Sequence, residues 1–186
     1  MAIANRLLGA PRKIFVLTGD GELQEGQIWE SLPSAVTLGL SEITVIVDRN
    51  KIQSDTWVDE VSPAGDVAAK FAAFGWRVER CDGHDFASIG QALARLASER
   101  ERPKALIAET VKGKGVSFME HPAKDPKGLY EYHSGAPNES EYARGSTELI
   151  AHARALASAA GLGNLVLERG ERPARMPVLK VERLVN

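Results

Sequence analysis

One stretch limits what this chain can be: Ile14-Phe15-Val16-Leu17-Thr18-Gly19-Asp20-Gly21-Glu22-Leu23-Gln24-Glu25-Gly26. Its first part, residues 14–18, is an apolar run that predicts a strand buried on both faces. The run passes directly into two glycines around one aspartate, and a helix follows. Glycine lets a backbone approach a ligand closely, and a helix N-terminus presents free N–H groups to an anion. An aspartate at that point repels a bare phosphate. It makes sense where a hard cation lies between carboxylate and phosphate. The stretch therefore reads as a metal-bridged diphosphate site, against the plainer reading of a turn, for which Asp-Gly is a common pair. It is not a P-loop, since no Gly-Lys-Ser/Thr follows. Nor is it the dinucleotide fingerprint, whose third glycine is missing.

The rest of the chain repeats the strand-to-helix theme. Residues 24–38 predict a helix, with Ile28, Trp29, Leu32, Ala35, Val36 and Leu38 at mostly helical spacing, Pro33 inside and Gly39 as C-cap. Residues 43–48 predict a second buried strand that ends in the polar turn Asp48-Arg49-Asn50-Lys51, and 52–63 read as irregular. Asp66 caps a short helix closed by Gly75, residues 76–81 alternate as a third strand, and Asp82-Gly83-His84-Asp85 leads into an amphipathic helix ending near Arg100. Residues 104–110 predict a fourth strand. Strands and helices in alternation imply an α/β fold: a doubly wound, mainly parallel sheet with helices on both faces and right-handed crossovers. Ligands bind such sheets beyond the carboxyl ends of strands. Asp20 and Asn50 both follow strand ends, so they share one rim. A carboxylate and an amide oxygen, completed by a carbonyl and waters, are what Mg²⁺ or Ca²⁺ accepts. A left-handed turn residue is the alternative for Asn50.

The chain's 186 residues suffice for one domain with a substantial core. A net charge of −2 gives no electrostatic reason to expect nucleic acid or an anionic membrane as partner. No apolar run approaches the roughly 20 residues needed to cross a bilayer. The single cysteine, Cys81, reads as a small core residue in a reducing compartment, so a cytoplasmic location is expected. Residues 2–8 look like the last turns of a helix stopped by Gly9 and Pro11, as in an α/β domain that begins this way or one whose beginning lies elsewhere. Residues 111–137 form a long loop rich in Gly, Pro, Lys and His, within a diphosphate-binding domain of residues 1–137. Lys112 and Lys114 in that loop either face an anion or are merely solvated. A last helix, within 138–160, belongs to the same domain. Residues 161–186 predict an extended tail, with a short strand at 165–167. His84 reads as structural, and His121 and His152 as surface residues. Their scatter gives no zinc spacing.

Several segments together carry a resemblance. Gly19-Asp20-Gly21 with Asp48-Arg49-Asn50-Lys51-Ile52 resembles the thiamine-diphosphate motif of the transketolase family. Asp20-Gly21-Glu22-Leu23-Gln24-Glu25-Gly26-Gln27-Ile28-Trp29-Glu30, Cys81-Asp82-Gly83-His84-Asp85 and Val111-Lys112-Gly113-Lys114-Gly115-Val116-Ser117-Phe118 are also similar to that family. The resemblance runs from Met1 to about residue 160. It implies transfer of a two-carbon ketol unit between sugar phosphates, with thiamine diphosphate and Mg²⁺ (or Ca²⁺) as cofactors. Asp20, Asn50 and the Ile52 carbonyl would bind the metal. Gly19, Asp20 and Gly21 would form the cofactor turn, with the Gly21 N–H on the diphosphate. Glu25 matches a glutamate near the dimer interface and the cofactor. His133 matches a histidine at the diphosphate and substrate side, and is the catalytic candidate. It stands in His133-Ser134-Gly135-Ala136-Pro137, one residue further from Gly-Ala-Pro than in many relatives. The family's upstream substrate-channel histidines and its pyrimidine-binding domain have no counterpart here. The implied partner is therefore a pyrimidine-binding subunit or domain on another chain, in a homo- or hetero-oligomer, and the isolated chain is expected to be inactive. Two other readings are an α-type component of a 2-oxoacid dehydrogenase and a non-catalytic or truncated interaction subunit.

Overall fold

Four parallel strands form the frame: β1 (Ile14–Gly19), β2 (Ile43–Arg49), β5 (Arg77–Asp82) and β6 (Lys104–Glu109), in the spatial order β1-β2-β6-β5. A computed structural model describes residues 1–10, 12–120 and 129–163. The register pairs Val47 with Thr18 on one side and Ile107 on the other. β2 and β6 are central, and β6 is buried along most of its length, as a strand covered on both faces should be.

Alternation along the strands divides the core in two. Val45, Val47, Ala105 and Ile107 point to α2 (Gly26–Thr37) and α4 (Val67–Ala73), where they meet Leu32, Ala35 and Phe71. Leu106, Ala108 and Cys81 point the other way, to α5 (Phe86–Ala97), where they meet Ala92 and Leu96. The chain steps forward from β1 to β2 through α2, and over β6 to β5 through α4. It then steps back to β6 through α5. Right-handed crossovers taken in opposite directions leave their helices on opposite faces, so the expected double winding is present.

Three aromatic rings weld α2 and α4 to the sheet. Phe71, fully buried, lies 5.5 Å from Trp29 and 5.5 Å from Trp76 between ring centroids. Each indole N–H reaches a carbonyl, Trp29 that of Leu23 and Trp76 that of Leu32, as buried Trp requires. Helix ends follow the sequence closely. Asp66 caps α4 through the Ala69 N–H, and Asp85 caps α5 through Ala87 and Ser88. Gly39 takes φ +56° just past α2, the left-handed C-terminal position that glycine fills without steric cost.

The structure corrects three expectations. β1 is not buried on both faces: Phe15, Val16 and Leu17 are 57%, 44% and 72% exposed. Among the described residues it is one of the sheet's two edge strands, and α5 lies over the β5–β6 half of the sheet. Residues 52–63 are not irregular throughout. β3 (Ile52–Gln53) and β4 (Thr56–Trp57) form a small antiparallel hairpin, followed by α3 (Val58–Val61). Such two-residue strands are too short for alternation to register. The helix after the Gly-Asp-Gly turn starts later than expected, because Gly21–Gln24 forms a single 3₁₀ turn before α2 begins at Gly26.

At the N-terminus, α1 (Ala2–Leu7) ends at Gly9 and places Ala2 in the α2–α4 core. At the other end, α6 (Glu139–Ala159) opens with a capping box formed by Asn138 and Glu141. Glu148 of α6 accepts from the N–H and hydroxyl of Ser117, and Arg144 stacks 3.8 Å from the Phe118 ring centre. Its Leu149, Ile150 and Leu156 remain exposed. The extended tail and its short strand at 165–167 lie outside the described residues, as does His121. Among the described residues no helix is long and apolar enough to cross a membrane.

Phe71→Ala removes the ring that couples α2, α4 and the sheet. It should destabilise the chain by about 3–5 kcal/mol, measured as a lowered midpoint in urea denaturation.

Candidate functional site

The turn that follows β1 and the turn that follows β2 are tied together through Asp20. Its backbone N–H donates to the Asp48 carbonyl at 3.1 Å. Its side chain is 4% exposed and accepts from the Gly21 N–H at 2.9 Å on Oδ1 and the Lys51 N–H at 2.6 Å on Oδ2. Burial pushes the Asp20 carboxyl above the ordinary aspartate range, opposed by those two N–H donors. Asn50 stands beside it, its Oδ1 accepting from the Ile52 N–H at 3.0 Å in an Asx turn. Lys51 between them takes the left-handed conformation at φ +69°, and Ser54 follows at +47°. Non-glycine residues held there mark a constrained loop.

Gly21 is required for space. A Cβ built on it would lie 2.6 Å from Gln53 Cβ and 3.1 Å from Gln53 Oε1. That Oε1 is buried and has no hydrogen-bond partner among the described residues, an acceptor of the kind that a bound ligand or water usually meets. Glu22 steadies the turn from the other side, accepting from the Thr18 hydroxyl at 2.8 Å and the Gly19 N–H at 3.2 Å.

A second group of residues faces this rim from the 111–120 loop and the segment after residue 128. His84 accepts from the Val111 N–H at 2.7 Å and holds the start of the loop. Tyr130, 4% exposed, donates its N–H to the Asp55 carbonyl of the β3–β4 turn and its hydroxyl to the Met119 carbonyl. Lys112 lies 5.2 Å from the Tyr130 ring centre, and its Nζ is 3.0 Å from Nδ1 of His133. Burial lowers the Lys112 ammonium below the usual lysine range, while the carboxylates of Asp20, Asp55 and Asp48 act to raise it. Lys114, by contrast, pairs with Glu120 at 3.2 Å.

The predicted site residues divide accordingly. Gly19, Asp20, Gly21, Asn50 and Ile52 come together on one rim. His133 stands in the neighbouring cluster through Lys112. Glu25 is exposed at the N-cap of α2, and its carboxylate caps nothing. His84 and Cys81 are structural, as expected, and His152 is at the surface. Sequence reasoning missed Gln53 and Tyr130. Tyr130 is an aromatic residue in a Gly- and Pro-rich loop, which is a weak signal, and Gln53 carries none. A cavity of about 510 Å³ lies at the other end of the sheet among Arg12, Phe15, Leu93, Arg100 and Lys104. It contains none of these residues.

The rim can hold a hard cation. Among the described residues no three His, Cys, Asp or Glu side chains form a metal cluster. The donor set is instead one buried carboxylate, one amide oxygen and a backbone carbonyl. Each side-chain oxygen spends one lone pair on an N–H and keeps another. A desolvated carboxylate, an acceptor unmet among the described residues and a glycine that leaves room for close approach together fit a metal and an anion.

The family model for the transketolase thiamine diphosphate binding domain matches residues 10–136. The 6-deoxy-6-sulfo-D-fructose transketolase subunit of Clostridium sp. (strain MSTE9) is 37% identical over 64% of this chain and 44% of its own length. An apulose-4-phosphate transketolase subunit from Actinobacillus succinogenes is 36% identical over 76% of this chain and 48% of its own. The chain thus spans about half the length of these relatives. Among solved structures, transketolase from Campylobacter jejuni superposes with a TM-score of 0.66 at 30% identity, over 78% of this chain and 22% of that one.

Gly21→Ala should destabilise the chain by about 1–3 kcal/mol through overlap with Gln53 Cβ, read from urea denaturation. Pairing it with Gln53→Gly removes the overlapping atom and should recover part of that loss.

Proposed function

The chain belongs to the transketolase thiamine-diphosphate-binding family, and on that premise we propose that it is the diphosphate-binding half of a ketol-transferring enzyme. The observation that carries this is the Asp20 clamp: a buried carboxylate held between the ends of β1 and β2, with Asn50 and Ile52 beside it. In this reading Asp20, Asn50 and the Ile52 carbonyl hold Mg²⁺, with Ca²⁺ as a size-tolerant substitute. Gly19 and Gly21 let the diphosphate approach the backbone. The Gly21 N–H, which donates to Asp20 Oδ1 in this structure, would be the chain's backbone donor to the diphosphate.

Thiamine diphosphate, when bound, supplies the thiazolium electron sink on which ketol transfer depends. The chain's own residues do the rest at the diphosphate end. Asp20 would offset part of the metal's charge from a buried position, where that charge is felt more strongly. Lys112 and His133 bring a cation and an imidazole to the same rim. Gln53 offers its unmet carbonyl oxygen to a donor on the ligand. Glu25, exposed and uncommitted, is placed to meet a partner.

The substrates proposed are ketoses and aldoses carrying an anionic head group, since the named relatives act on a sulfosugar and a sugar phosphate. The pyrimidine ring is held by a separate chain or domain, consistent with relatives that are named as subunits. The purified chain alone is therefore expected to show no ketol transfer, and mixing with a pyrimidine-binding partner should restore it. A cytoplasmic location completes the proposal.

Asp20→Ala should abolish the heat of Mg²⁺-dependent thiamine diphosphate binding in titration calorimetry of the complex, while its circular dichroism spectrum remains that of a folded domain. Unchanged binding would refute the metal assignment. Protonation of Asp20 also competes with the metal. Because burial raises its folded pKa, the stabilisation conferred by added Mg²⁺ should fade as pH falls through a range above the ordinary aspartate value of about 4. The difference in melting temperature with and without Mg²⁺, followed from pH 8 to 5, measures this.

A further inference from the structure

We propose that Lys112 is a positioning residue that fixes the tautomer of His133: its ammonium donates to Nδ1, so the ring carries its proton on Nε2 and presents an N–H donor to the rim. Three observations support this. The Lys112 Nζ to His133 Nδ1 separation of 3.0 Å is a hydrogen bond. An ammonium has donors only, so the imidazole nitrogen must be the acceptor, and a neutral imidazole that accepts at Nδ1 donates at Nε2. The ammonium is held in place: it sits over the Tyr130 ring, in the field of Asp20, Asp48 and Asp55. Tyr130 is itself pinned at the Asp55 and Met119 carbonyls.

His84 provides the opposite case in the same molecule. Its Nε2 accepts from the Val111 N–H at 2.7 Å, so its proton resides on Nδ1. One end of the 111–120 loop thus rests on a histidine of one tautomer, while Lys112, one residue on from Val111, fixes a second histidine in the other. The chemical consequence is a matched pair of donors. Lys112 brings positive charge and His133 brings an N–H, both suited to an anionic or carbonyl oxygen and neither to a cation. What that donor meets rests on the diphosphate-site reading above, but the tautomer does not.

The test is long-range ¹H–¹⁵N spectroscopy of the full labelled chain at pH 8.5, where an imidazole is uncharged. Loss of a signal set in His133→Gln assigns that ring. The expected wild-type pattern is a protonated Nε2 and an acceptor Nδ1 displaced from its free-solution position. The Nδ1 signal should revert to the free-solution average in Lys112→Met and stay displaced in Lys112→Arg, which keeps a donor. His84 should show the reverse tautomer in all three, reporting an intact loop. A His133 spectrum unchanged by Lys112→Met, or a wild-type proton on Nδ1, overturns the assignment. Should Lys112→Met also disturb His84, the wild-type chain decides alone. A nuclear Overhauser contact between Lys112 Hε and the ring proton beside Nδ1 supports the pairing, and its absence overturns it. Thiamine diphosphate and Mg²⁺ added to the labelled chain in complex with its pyrimidine-binding partner separate the two readings. A shift at Nε2 supports the cofactor reading; no shift overturns that reading and leaves the tautomer standing.

Discussion

The bond between the Asp20 carboxylate and the Lys51 N–H is the interaction on which the rim depends. A parallel sheet joins its strands by long excursions through helices, so the loops at the carboxyl ends have no short connection to one another. Here one buried side chain supplies it. With one oxygen on Gly21 and the other on Lys51, Asp20 stitches the ends of two neighbouring strands. The stitch is costly, because a carboxylate is desolvated and Lys51 is held in a left-handed conformation. Each cost is of the order of a kcal/mol or more. Strain concentrated at one place, in a fold otherwise built from well-capped helices and a conventional two-sided core, is the pattern expected of a functional site.

The rim is assembled from three unrelated pieces of chain, each anchored by a different device. Asp20 anchors the first, and the Asx turn of Asn50 with the β3–β4 hairpin anchors the second. The third is held by His84 at one end and by Tyr130 at the other, where the Tyr130 N–H bonds the same hairpin. The α6 helix supports this third piece through Ser117 and Phe118. The aromatic weld of Trp29, Phe71 and Trp76 packs in one core with the β2 and β6 residues Val45, Val47, Ala105 and Ile107. It gives the strand ends a rigid base.

Much of this was legible from the sequence, for definite reasons. Apolar runs located β2 and β6, and alternation located β5, to within a residue or two. Asp66, Asp85 and Gly39 act where helix capping rules place them. Asp20 and Asn50 were paired because both follow apolar runs. Other features could not be read. Gln53 has no local pattern, and its importance comes from an unmet acceptor that only packing reveals. Lys112 could not be told from a solvated lysine until Tyr130 and His133 were placed around it. The β1 expectation failed because an apolar run reports that a strand wants cover, while the neighbours that provide cover are a property of the whole sheet.

β1 also bears on how this chain fares in a cell. Among the described residues its outer edge has no strand beside it, and Phe15, Val16 and Leu17 are exposed along it. It carries no bulge or proline within the strand to blunt it. A surface of that kind pairs readily with whatever extended chain it meets first. Left uncovered, an apolar edge of that kind is a template for association with other extended chains.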